Sequence, residues 1–277
     1  MLGAFGCRYF RRAFGWCVPI GGLAGLIGLG GGEFRLPVLM HAIGFDAKSA
    51  VPVNLMVSLV TLAFALAARS PVMSPLDVVA FWPAVLGLVA GGMVSAFFGA
   101  GLVRALSGPR LIQIIAILLA ALGALLLAEV VWPFQGDGLI PADTALAFAI
   151  GVTLGLGIGL VSSLLGVAGG ELLIPTMMFV FGADIRTAGT ASILISLCLI
   201  STGLLRHWRL GTLPTGRGVQ RMVAAMSTGS VIGAGLGGLA VAMAPVGALK
   251  LLLGMVLIAA AGKTMFGDHT PKKRSRP

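Results

Sequence analysis

LIGLGGGEFRLPVLMHAIGFDAKSA, residues 26–50, returns without a gap 138 residues later as LLGVAGGELLIPTMMFVFGADIRTA, residues 164–188. Over the wider windows 23–58 and 161–196, eleven of 36 positions are identical. Chance in a chain so rich in Gly, Ala and Leu would give roughly 4. The matches include uncommon letters: Glu33/Glu171, Pro37/Pro175 and Asp46/Asp184. Gly28/Gly166, Gly31/Gly169, Gly32/Gly170 and Gly44/Gly182 also pair, and Lys48/Arg186 and Ser49/Thr187 agree in type. Low complexity does not repeat acids and prolines in register, so the chain reads as two tandem copies of one unit.

The surrounding sequence says which solvent the copies live in. Of 277 residues, 58% are hydrophobic and 10% charged, with a mean hydropathy of +1.05. A soluble domain carries about 25% charged residues. This composition excludes an ordinary soluble enzyme, a disordered chain, a coiled coil and a disulfide scaffold. Spanning a bilayer takes about 20 apolar residues, and the long apolar runs are 13–32, 49–68, 78–103, 111–132, 144–168, 188–205, 222–245 and 247–266. None alternates as lipid-facing strands do. Two shorter runs, 36–45 and 172–183, follow the first and fifth. The expected fold is an all-α polytopic membrane helical bundle of about eight spans plus two short half-helices. The first repeat occupies 1–128 and the second 144–266. Between them lies the acidic linker EVVWPFQGDGLIPAD, 129–143, and a basic tail follows at 267–277.

Charge orients the bundle. Lys plus Arg number 19 against 9 acids, a net charge of +10. In a soluble protein this would suggest nucleic acid. Here the cations cluster beside apolar runs: Arg8, Arg11 and Arg12; Arg206, Arg209, Arg217 and Arg221; Lys263, Lys272, Lys273, Arg274 and Arg276. That is the positive-inside pattern, so the expected partner is the lipid bilayer, not nucleic acid, and both termini are expected in the cytoplasm. With Arg35 unassigned, an odd number of crossings per half puts 15 basic residues inside and 3 outside, against 13 and 5 for four crossings per half. The odd arrangement also turns the acidic linker outward. It makes the halves inverted repeats about an axis in the membrane plane.

GLGGGEFRLP (28–37) and GVAGGELLIP (166–175) each combine a glycine cluster, a carboxylate and a proline four residues later. Glycine exposes backbone and proline interrupts a helix, which together predict a discontinuous helix at membrane depth. The helix that restarts after the break offers N–H groups to an anion. Gly30, Gly31, Gly32, Gly169 and Gly170 are therefore the expected backbone lining of a substrate site. The same glycines also suit close helix packing. Ser49 and Asn54 in half one and Thr187, Thr190 and Ser192 in half two are the expected side-chain lining. Ser58, Thr61, Ser196, Ser201 and Thr202 continue the same small polar series. These residues suit an anion path and interhelical hydrogen bonds alike.

Three readings stand for Glu33 and Glu171: proton coupling, a helix cap, or local pairing at the membrane edge, where Arg35 is near Glu33. Asp46 and Asp184 stand at helix starts and read as caps, with Lys48 and Arg186 as caps or entrance cations. RHWRLG, 206–211, reads as a cytoplasmic anchor with Trp208 at the interface. Cys7, Cys17 and Cys198 show no metal spacing. No Ser–His–Asp, HExxH or Cys–His constellation appears, so no catalytic residue, metal or cofactor is assigned.

On these residues the chain resembles the TauE/SafE family of sulfite exporters. The resemblance rests on GLGGGEFRLP and GVAGGELLIP, on the G-x-D-x-x-x-A segments GFDAKSA and GADIRTA, and on RHWRLG, and spans roughly residues 15–266. It departs at Ala168, which replaces a motif glycine, at Arg35, where the motif is usually aliphatic, and at 65–76, which has no HWR-like stretch. The resemblance implies a multi-pass bacterial inner-membrane transporter, not an enzyme, that exports a small sulfur-containing anion such as sulfite, thiosulfate or a sulfonate. The competing readings are an integral-membrane enzyme on a lipid-linked substrate and a non-catalytic assembly subunit. A homo-oligomer is compatible with any of the three.

Overall fold

The computed structural model describes residues 7–27, 30–69, 76–131, 138–140, 144–183 and 185–240, with isolated residues between 247 and 265. Among the described residues every regular element is a helix. They are α1 (Cys7–Ile27), α2 (Gly32–Pro37), α3 (Ala47–Arg69), α4 (Leu76–Val79), α5 (Trp82–Ala105), α6 (Gly108–Val131), α7 (Ala145–Leu165), α8 (Gly170–Phe179), α9 (Ile185–Arg209) and α10 (Arg217–Ala240). A π-helix, Val38–Ile43, continues α2 directly.

Five described helices are long and apolar enough to span a bilayer: Ala47–Ala67, Trp82–Ala105, Gly108–Leu125, Ala145–Leu165 and Thr187–Arg209. They correspond to the runs expected at 49–68, 78–103, 111–132, 144–168 and 188–205. The first run begins earlier than expected, because α1 takes in Arg11 and Arg12, both exposed. Most of the expected 247–266 span, the tail 267–277 and most of the linker lie outside the described residues. Leu139 and Ile140 of the linker are described, and their N–H groups bond the carbonyls of Phe179 and Val180 at the end of α8.

The 138-residue shift carries element onto element. It maps both ends of α1 onto α7, and the starts of α2 and α3 onto those of α8 and α9. Backbone details map too. Phe45 N bonds Leu39 O at 2.9 Å, and its counterpart Ala183 N bonds Met177 O at 3.0 Å.

Packing follows the same exchange. Helix α1 lies along α10, and α7, its counterpart, lies along α5. The first helix of each half thus packs on the other half. Glycines set the approach. A Cβ on Gly229 would lie 2.7 Å from Phe14 O, and one on the equivalent Gly91 would collide with Val152 O, the counterpart of Phe14. In lipid the hydrophobic effect does not drive helices together, and small residues let backbones approach for dispersion contact. The rest of α5 obeys that rule. Gly87, Gly91, Gly92, Ser95, Gly99 and Ala100 are buried, while Val94, Phe98 and Leu102 face outward. An outward apolar face opposite a small-residue inward face is the reverse of a water-soluble helix.

A side chain at Gly91 must push α5 off α7, at an overpacking cost of about 1–3 kcal/mol. We expect Gly91→Leu to lower the thermal midpoint of purified protein in detergent. Gly157→Ala, where an added Cβ meets nothing within 4 Å, should melt with the wild type.

Candidate functional site

The two glycine clusters do form the expected breaks, but their prolines do not make them. Helix α1 ends at Ile27, Gly31 takes φ 65°, and α2 starts at Gly32. In the second half α7 ends at Leu165, Gly166 takes φ 64°, Gly169 takes φ 77°, and α8 starts at Gly170. Positive φ at these positions stops one helix and re-aims the next at little steric cost only for glycine. Pro37 and Pro175 lie downstream, inside helix. Proline lacks the N–H of the helical ladder. In the first half the backbone answers by changing to π-helix from Val38, and in the second α8 runs on through Pro175 to Phe179.

The breaks meet each other. A Cβ on Gly30 would lie 2.9 Å from the Cβ of Ala168, its own counterpart. One on Gly32 would lie 3.2 Å from Val167 Cα. Equivalent positions in contact lie on a two-fold axis, because only there does a rotation carry a residue next to itself. The Glu33 and Glu171 carboxyls, also equivalent, are close enough to interact electrostatically. The departure at Ala168 thereby gains a physical reason: the axis has room for one methyl, and Ala168 supplies it.

Side chains from α3 and α9 tie the breaks in place. Asn54 Nδ2 donates to Gly32 O at 2.7 Å, and Ser196 Oγ donates to Ala168 O at 2.7 Å. Ser162 Oγ donates to Val167 O, closing the turn after α7. These three carbonyls thus find donors, as a backbone at membrane depth requires.

Both acids are deep in the molecule, Glu33 at 0% and Glu171 at 2% exposure. None of their four oxygens accepts a hydrogen bond from a donor group. Beside them lies the residue that the sequence left without a role. Arg35 is fully buried and reaches across α3 to α10. Its Nε bonds Asn54 Oδ1 at 3.2 Å, Nη2 bonds Ser58 Oγ at 2.6 Å, and Nη1 bonds Thr61 Oγ1 at 3.4 Å and Ser230 Oγ at 3.1 Å. All four partners are neutral. The charges of Glu33 and Glu171 act on it electrostatically, as does Cys17 on α1, whose thiol bonds Ser230.

The expected lining is only partly assembled here. Gly30, Gly31, Gly32, Gly169, Gly170, Asn54, Thr187, Thr190 and Ser192 are all buried. Ser49 is not with them. It sits half-buried in the first turn of α3, where its N–H takes Asp46 Oδ2 at 3.2 Å. Asp46 is thus a helix cap. Lys48 is exposed and bonds Arg104 O at 3.1 Å, so it satisfies the C-terminus of α5. Asp184 and the Arg186 side chain lie outside the described residues. Ser201 is exposed, and Thr202 bonds its own helix at Cys198 O. Trp208 is exposed and Arg206 stacks 4.3 Å over Phe97. Sequence reasoning missed Arg35 as the hub and Ser230 altogether. A lone arginine in an apolar stretch was the available signal.

The crowded axis gives a direct test. Gly30→Ala puts two methyl groups where one fits, and should cost about 1–3 kcal/mol. Gly30→Ala combined with Ala168→Gly restores one methyl and should recover most of the lost thermal midpoint in detergent. Equal melting of the single variant and the wild type would show that the breaks are not pressed together.

Comparison with known families agrees with this architecture. The profile described as "Sulfite exporter TauE/SafE" matches residues 8–126 and 151–277, nearly the whole chain. No curated protein and no solved structure matches it. The matched segments contain both glycine breaks, both buried acids and Arg35, and the chain belongs to the TauE/SafE family of membrane transporters.

Proposed function

We propose that this protein is a secondary transporter exporting a small sulfur-containing anion, such as sulfite, thiosulfate or a sulfonate, across the bacterial inner membrane. The observation that carries the proposal is the meeting of two glycine breaks at one axis beside buried Glu33, Glu171 and Arg35. The helix starts at Gly32 and Gly170 offer N-terminal N–H groups and the positive end of a helix dipole to an anion. Gly30, Gly31, Gly169, Asn54, Thr187, Thr190 and Ser192 complete the lining. Glu33 and Glu171 accept the coupling proton. Lys48 and Arg186 attract anions at the mouths. The termini are cytoplasmic. The repeats, 1–128 and 144–266, are inverted about the axis between Gly30 and Ala168.

Transport then proceeds by rocking one repeat against the other around that axis. A groove of about 530 Å³ runs along α3 and α10, lined by Met56, Val60, Val223, Ser227 and Val231 among others.

Whole-cell efflux of labelled sulfite tests the site. Gly31→Leu and Gly170→Leu should reduce efflux to the level of cells lacking the protein, while surface expression stays near wild type. Undiminished efflux in both variants would remove the glycine breaks from the transport path. The inverted arrangement has its own check. A reporter fused at Asp137 should read as periplasmic, and a cytoplasmic reading would replace inverted repeats with parallel ones.

A further inference from the structure

The charges around the axis can be counted residue by residue. Helix α2 contributes Glu33 and Arg35, α8 contributes Glu171, and α1 contributes the neutral thiol of Cys17. The side chains met from α3 and α10 are Asn54, Ser58, Thr61 and Ser230, all neutral. On α9 the side chain placed at the break is Ser196, bonded to Ala168 O, and it is neutral as well. Among the described residues the centre therefore holds one fixed cation and two interacting carboxyl groups. With both carboxyls ionised it is a buried anion without donors. With both protonated it is a buried cation whose partners are only dipoles. With one shared proton it is neutral, and the Glu33–Glu171 contact becomes a hydrogen bond. An uncompensated charge is expensive in such a medium, so the neutral form is the resting one.

Resting on the reading of this junction as the substrate site, we infer that Arg35 is the cation that receives the anion and that each anion enters together with one proton, which Glu33 and Glu171 take up. The balance is simple. A singly charged oxyanion beside Arg35 brings one negative charge. The remaining carboxylate binds one proton from the same aqueous side, an O–H bond forms, and the centre is neutral again. On the far side the anion leaves Arg35, the O–H bond breaks, and the proton follows. No other bond changes. The hydroxyls of Ser58 and Ser230, which accept from Arg35 at rest, rotate to donate to the anion that replaces them, while Thr61 keeps its bond to Val57 O. The expected ligand is a small oxyanion carrying one charge, moved with a proton in the same direction.

Proteoliposomes holding the full chain test this with labelled sulfite. Protein-free vesicles at the same pH gradient supply the correction for the leak and the titration of sulfite itself. Wild-type vesicles clamped at zero potential should accumulate sulfite when a pH gradient is imposed, beyond the ratio that equal bisulfite concentrations at the two pH values would give. Glu33→Gln/Glu171→Gln, which fixes the uncharged form of both acids, should lose this accumulation. It should still exchange labelled for unlabelled sulfite, because exchange never requires the proton to leave. Adding Arg35→Gln to that double variant removes the remaining charge of the centre and should cut exchange by roughly tenfold or more, the effect of deleting a buried ionic partner. A measurement on the wild type alone guards against misfolded variants. Adding sulfite to detergent-solubilised protein should remove about one proton from solution per anion bound. Accumulation that survives in the double variant, exchange that survives without Arg35, or binding without proton uptake overturns the inference while sulfite transport stands. Wild-type vesicles that move no sulfite overturn the transport reading and the inference with it.

Discussion

Gly30 and Ala168 leave room for a single methyl group between two turns of backbone, and the middle of the molecule is arranged around that limit. Two interrupted helices can touch at membrane depth only where no side chain separates them and where every carbonyl they expose is met by protein. Asn54 meets Gly32 O, Ser196 meets Ala168 O and Ser162 meets Val167 O. These donors come from α3, α9 and α7, so the breaks fix where three long helices stand. The exchanged pairs α1/α10 and α5/α7 then enclose the centre from either side.

Much of this was legible in the letters. Repeated acids and prolines announced the duplication, and the shift of 138 carries the start of α1 onto the start of α7 in the folded chain. Composition announced lipid as the solvent, and the outward Phe98 and Val94 agree. The breaks were legible at the right glycines because positive φ is a local property that a glycine cluster advertises. Proline was misread as the breaker, since its missing N–H reads as an end to a helix. A π-turn absorbs that loss after Pro37, and α8 continues through Pro175.

Depth was the harder quantity. Glu33 and Arg35 are two residues apart, a spacing that puts side chains on different faces of a helix, and sequence alone does not say which face is inside. Here both faces of so short a helix are inside, because α3 and α1 pack on it and Arg35 reaches α10. Arg35 finds its acceptors 19, 23, 26 and 195 residues away. No local pattern encodes a partner at that separation. Ser49 shows the opposite failure. Its place in a polar series suggested a lining role, but the series begins at a helix end, and the first member serves the cap.

The duplication also makes its own exceptions informative. Arg35 corresponds to Leu173, Thr61 to Leu199 and Ser230 to Gly92. In the first half the three polar residues form a bonded set that links α2, α3 and α10 through one guanidinium. In the second half Leu199 lies directly over Gly92, an apolar plug filling the space left by a missing side chain. Two-fold symmetry would have put a cation on each side of the axis, and two buried cations would leave the pair of acids no reason to hold a proton. With one arginine and two glutamates, the centre is one proton away from neutrality in either direction. A symmetric scaffold thus supplies two equivalent breaks, and a few asymmetric side chains decide what charge those breaks can hold.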